Sequence, residues 1–137
     1  MWPSRGTPMA SVISARALRL FSKSFGEGSV FDWTAVFVDQ SGNAIISGEF
    51  QGAADFGAGP VASAGGVDIF VAKYTQNGTL AWGRTFGDAE NQVARSIAVG
   101  ASGDVGMCGY FAGVVDFGSG PQVAADGTEI YLTLLPP

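Results

Sequence analysis

The chain reads as an all-β protein of antiparallel hairpins, and three observations point there. Its 137 residues include 21 glycines, ten Phe, three Tyr and three Trp, which suits turns and pleated sheets better than helices. Short apolar runs alternate with Ser-Gly, Asn-Gly and Gly-Pro turn signals. The third observation is internal repetition at a single offset of 61 residues. Phe25-Gly26 falls on Phe86-Gly87, Ser41-Gly42 on Ser102-Gly103, and Gly48, Phe50 and Gly52 on Gly109, Phe111 and Gly113. Asp55-Phe56-Gly57 falls on Asp116-Phe117-Gly118, Gly59-Pro60 on Gly120-Pro121, and Ile69-Phe70 on Ile130-Tyr131. The matches occupy glycines, aromatics and turn residues, where backbone geometry restricts the choice.

Taken in order, residues 34–39 form an apolar run, 40–43 a tight turn, and 44–50 a second run, which together predict a hairpin. A glycine-rich link follows over 51–66. Residues 67–75 predict a third strand with Ile69, Val71 and Lys73 on one face and Phe70, Ala72 and Tyr74 on the other. Asn77-Gly78 then turns the chain into a fourth strand over 79–86. The second copy repeats the hairpin over 95–99 and 104–111 and the third strand over 128–134. Its fourth strand is missing, whereas residues 18–23 align with the fourth strand of the first copy.

Four short consecutive antiparallel strands per repeat are the pattern of a β-propeller blade, and the chain holds about two such blades. Residues 1–17 read as a disordered or non-native leader, 18–25 as a strand of a preceding or swapped blade, 26–87 as the first repeat, and 88–137 as an incomplete second repeat. Two blades leave sheet faces and edges open to water. The expectation is therefore either an open fragment of a longer array or a ring completed by oligomerisation.

The stretch Asp68 to Gly87, DIFVAKYTQNGTLAWGRTFG, the Ser-Gly-Asn/Asp turns and the doubled DFGxGP element resemble the β-propeller repeats of bacterial surface and secreted proteins, especially those of myxobacteria and their relatives. The resemblance covers residues 18–135 and implies one blade per repeat and an extracellular or cell-surface setting. It carries over no catalytic residue, ligand or cofactor. The second copy departs from the pattern, reading Tyr131-Leu132-Thr133-Leu134-Leu135 where the first has Phe-Val-Ala-Lys-Tyr.

Charge and composition narrow the function. Residues 1–20 carry Arg5, Arg16 and Arg19 and no acid, while the rest holds four basic against twelve acidic residues. So acidic a body repels phosphate backbones, which argues against nucleic acid as a partner. The first twenty residues lack the apolar core of a secretory signal, and no apolar run reaches the length of a membrane span. Cys108 is the single cysteine, so no internal disulfide forms, and its apolar surroundings read as those of a small core hydrophobe. With no histidine, Ser-His-Asp and Cys-His chemistry and the usual zinc sites are excluded.

Asp55 and Asp116 are the candidate paired carboxylates of a glycosidase-like site, but residues that recur in each repeat more often serve the repeat, here by accepting backbone amides of a Gly-rich loop. Asp-Phe-Gly lacks every companion motif of a kinase. Residues 39–43 and 101–104 resemble calcium loops only faintly, and Asn77-Gly78-Thr79 matches a glycosylation sequon that a tight turn already explains. Trp33 and Trp82 can stack on sugar rings; Trp82 aligns with Phe21 as a packing residue, which leaves Trp33 the ligand candidate. The residues thus suggest a non-catalytic scaffold or interaction module without metal or cofactor. The alternatives are a carbohydrate-binding oligomeric ring and a propeller hydrolase or lyase.

Overall fold

The structure, a computed structural model, describes residues 21–25 and 30–137, except the side chain of Trp33. The leader over 1–17 and residues 18–20 of the expected N-terminal strand lie outside the described residues, and residues 21–25 run without strand pairing. The described residues form strands and no helix, and every pairing is antiparallel. The first sheet has the order β1-β2-β5-β6, from β1 (Val30–Val38), β2 (Ala44–Gln51), β5 (Asp68–Tyr74) and β6 (Leu80–Phe86). A small hairpin, β3 (Ala53–Asp55) with β4 (Pro60–Ala62), lies between β2 and β5 in the chain. The second sheet has the order β7-β8-β9, from β7 (Gln92–Val99), β8 (Val105–Asp116) and β9 (Pro121–Leu135).

Three hairpins close in the same way. In each, the amide that opens the loop donates to the carbonyl four residues on, and a glycine amide donates back. These bonds link Asp39 with Asn43 and Gly42, Thr75 with Thr79 and Gly78, and Gly100 with Asp104 and Gly103, all at 2.8–3.0 Å. The third loop residue must then take a left-handed φ, and Gly42, Gly78 and Gly103 hold it at 81°, 82° and 88°. Asn77-Gly78 therefore closes a three-residue loop, with a register shift between Lys73 and Tyr74.

The glycine-rich link read over 51–66 and its counterpart one repeat on fold into strands instead. In the first repeat they form the β3–β4 hairpin, and in the second they extend β8 and β9, pairing Val114 with Val123 and Asp116 with Pro121. Left-handed glycines at Gly52 and Gly113 redirect each chain, and the buried side chains of Ala54 and Phe56, or Val115 and Phe117, hold the hairpin down. Apolar alternation, too brief to see among so many glycines, wins over loop composition here.

Two apolar layers result. The front face of the first sheet, with Ile45, Ile69 and Val71, packs on the rear face of the second, with Met107, Phe111 and Tyr131. The rear face of the first sheet buries Phe50, Phe70, Ala72 and Tyr74 under Phe56, with Phe25 and Phe31 at the margin. Phe56 stacks on Phe70 at 4.6 Å and meets Phe50 edge-on at 5.8 Å. One repeat on, Phe117 meets Tyr131 at 4.7 Å. The two sheets thus use the same positions to build their rear faces.

A charged contact crosses between the sheets. Arg95, at the bulge of β7, donates to the buried Glu49 carboxylate at 2.8 Å and to the Tyr110 hydroxyl at 2.7 Å. Burial raises the Glu49 pKa above the ordinary carboxylate value, against the opposing pull of Arg95.

Two outcomes check this packing. A side chain at Gly109 drives into the Val93 backbone carbonyl, whereas one at the equivalent Gly48 meets only the side chains of Phe70 and Thr34. Gly109→Ala is therefore expected to cost about 3 kcal/mol of unfolding free energy and Gly48→Ala about 1 kcal/mol, measured by chemical denaturation. Arg95→Ala strands the Glu49 charge and is expected to cost about 2 kcal/mol, less than a fully buried pair because Arg95 is partly exposed; adding Glu49→Gln should restore most of the loss.

Candidate functional site

The two recurring aspartates sit in matching turns. Asp55 ends β3, and its Oδ1 accepts the amides of Gly57 at 2.8 Å and Gly59 at 3.1 Å. Asp116 ends β8 and accepts those of Gly118 and Gly120 at the same 2.8 and 3.1 Å. All four glycines hold φ between 102° and 123°, so the turn needs a short carboxylate before it and glycine at both donors. Beside Asp55, burial and then the Asp55 charge push the Tyr74 hydroxyl up to about 12. Tyr74 therefore stays a donor at neutral pH and anchors the turn through the Phe56 carbonyl at 2.6 Å.

Each turn borders a cleft. Around Asp55 it is about 270 Å³ and is lined by Lys23, Ser24, Phe25, Phe56 and Gly57. Around Asp116 it is about 720 Å³, with Arg84, Thr85, Phe86, Phe117 and Thr133 among its walls. Lys23-Ser24-Phe25 and Arg84-Thr85-Phe86 stand one repeat apart, so the clefts are equivalent: each sets a cation, a hydroxyl and two aromatic rings around one carboxylate. Sequence reading missed the basic and hydroxyl members because they match in chemical type rather than identity. The clefts share no residue, and each aspartate keeps to its own. Trp33 belongs to β1, where the pairing with β2 shifts register between Asp32 and Ala35, and its side chain lies outside the described residues.

The calcium-like segment is an Asp-capped turn. Asp39 accepts the amides of Ser41 and Asn43 and the Asn43 side chain, each at 2.9 Å, and lies 3.7 Å from Lys73. Both carboxylate oxygens are therefore engaged within the protein. Among the described residues no group of three or more His, Cys, Asp or Glu side chains is placed to hold a metal ion. No helix among them is long and apolar enough to cross a membrane. Cys108, read as a small core hydrophobe, is instead exposed on the front face of β8, which no other sheet covers among the described residues.

The segment joining the sheets is organised by Asp88. Its carboxylate accepts the Glu90 amide at 2.8 Å, the Val114 amide at 2.8 Å and the side-chain amide of fully buried Gln92 at 2.6 Å. Burial alone raises its pKa, but these hydrogen bonds to the charged form outweigh it and leave the value below the ordinary 3.8.

No protein-family model matches the chain, and no curated protein or solved structure does either.

The Asp88 shift has a definite sign. A depressed folded pKa contributes stability that is fully present above the unfolded value near 3.8 and is lost as pH falls through the folded value. Asp88→Asn presents a donor to groups that are themselves donors. It is expected to lower the melting temperature by about 5 °C at pH 6, and the gap to the parent chain should narrow below about pH 4.

Proposed function

We propose that the chain is a non-catalytic module of β-propeller blades, a rigid scaffold or interaction platform of an exported or cell-surface protein. The observation that carries this reading is the stacking of two sheets whose rear faces are built from equivalent positions one repeat apart. Such a repeat unit contacts chiefly its neighbours and presents its turns at the rim. The aspartate turns support the non-catalytic part, since the same Oδ1 in each repeat is engaged by two backbone amides.

A carbohydrate-binding reading stands second, favoured by the two equivalent clefts, each combining an aromatic ring with polar groups. A glycan array separates the two. Specific retention that disappears in Trp33→Ala or Thr85→Ala favours sugar binding, and uniformly blank spots favour the scaffold.

The scaffold reading also expects no turnover of glycoside or ester substrates. Turnover that vanishes in the Asp55→Asn, Asp116→Asn double variant, with the fold retained by circular dichroism, would make the chain an enzyme instead.

A further inference from the structure

The two outer faces of the molecule are the two halves of the interface already present inside it. In the first sheet, the front-face residues Ile69 and Val71 are fully buried by the second sheet. Their equivalents in the second sheet, Ile130 and Leu132, are 88% and 76% exposed, and Leu134 on the same face is 75% exposed. At the other end the relation is reversed. Ile97 and Val99 of β7 pack against the inter-sheet core, while their equivalents Val36 and Val38 in β1 are 65% and 61% exposed. Beside them lies an apolar cavity of about 370 Å³ whose walls include Phe31, Val36, Ile46 and Phe70.

Among the described residues, one end therefore exposes apolar side chains across its front face, and the other exposes them at the β1 margin of its rear face, beside the buried Phe50 and Phe70. The two are unlike, so two like ends do not complement each other, whereas a front face fits a rear face. The sheet-to-sheet contact inside the chain supplies the geometry.

Resting on the blade reading, we propose that the front face of the second sheet, Ile130, Leu132 and Leu134, docks head to tail on the rear face of β1 and β2 in a second copy of this chain. Two further observations fit this occupant. Phe25 packs on Phe56 at 5.8 Å as Phe86 packs on Phe117 at 5.0 Å. Phe86 reaches that place from the fourth strand of the sheet in front, so Phe25 occupies the position reached from the fourth strand of a preceding sheet. Correspondingly, the outer edge of β9 carries no paired strand among the described residues, whereas the equivalent β5 is paired with β6.

The inter-copy contact differs from the internal one in charge. Glu49 and Arg95 correspond to Tyr110 and Thr34, and Lys73 corresponds to Leu134. The contact between copies thus lacks the ion pair of the internal one, and it should persist at 0.5–1 M salt, where exposed charges are screened within a few Å. Repetition of a two-sheet unit through such a contact closes at about two to four chains, the range of blade numbers that propellers use.

Light scattering on the size-fractionated 137-residue chain tests the proposal, together with the single variants Leu132→Glu, on the front face, and Val36→Glu, on the rear face. The expected result is a discrete oligomer of about two to four chains, at low and high salt alike. Each variant alone should dissociate, with association weakened by at least about 100-fold. Mixing the two should restore one intact contact and give a 1:1 heterodimer. Dissociation by only one of the variants, or no heterodimer on mixing, overturns the head-to-tail geometry. A β-rich, cooperatively unfolding monomer of the parent chain overturns self-docking, assigns the two faces to a different partner and leaves the blade reading intact. Loss of β-sheet circular dichroism in the parent chain overturns both.

Discussion

A pleated sheet has two faces, and in this protein the packing of one sheet's front face on the next sheet's rear face is the contact on which the rest depends. Ile45, Ile69 and Val71 supply one side, and Met107, Phe111 and Tyr131 supply the other. Each Å² of apolar surface that this layer removes from water contributes about 25 cal/mol. The three-residue hairpin loops, the glycine kinks and the aspartate turns return each strand beside its neighbour and bring these side chains into one layer. The hydrogen bonds within each sheet set strand spacing and register, but they do not decide which face is covered.

The polar groups refine that contact. Glu49 is drawn out of water by the apolar packing around it, and Arg95 reaches across from the second sheet to hold its charge. A buried ion pair of this kind adds little net stability, because desolvation offsets most of the attraction, but it penalises any sliding of one sheet over the other. Asp88 and Gln92 do the corresponding work in the linker, where amides that leave one sheet and enter the next find acceptors instead of water. The Glu49–Arg95 contact joins the two repeats, whereas the Asp88 and Gln92 contacts tie the start of the second repeat to the end of its own hairpin.

Much of the fold was legible from residue identities. The positions of Gly42, Gly78 and Gly103 follow from the need for a left-handed residue at the end of a three-residue loop. The alternation in β5 places Ile69 and Val71 on one layer and Phe70, Ala72 and Tyr74 on the other. The extra hairpin at 53–62 was not legible, because three residues per strand are too few for alternation to rise above a loop-like composition. The candidate clefts were half legible. Asp55 and Asp116 repeat by identity, whereas Lys23 and Arg84, or Ser24 and Thr85, repeat only by kind and become a set when the fourth strand is laid against the following turn.

By itself the sequence determined the period of 61 residues, the hairpin loops, the antiparallel all-β class and the acidity of the body. All of these are properties of a residue and its near neighbours, expressed through φ preference, two-residue alternation and charge. Only the tertiary structure decided that Ile69 is buried and Ile130 exposed, that Cys108 faces outward, and that Arg95 meets Glu49. Equivalent residues in equivalent strands have the same local chemistry. Their burial differs because one repeat is followed by another in the described structure, and covering a face is the act of a neighbour rather than a property of the strand.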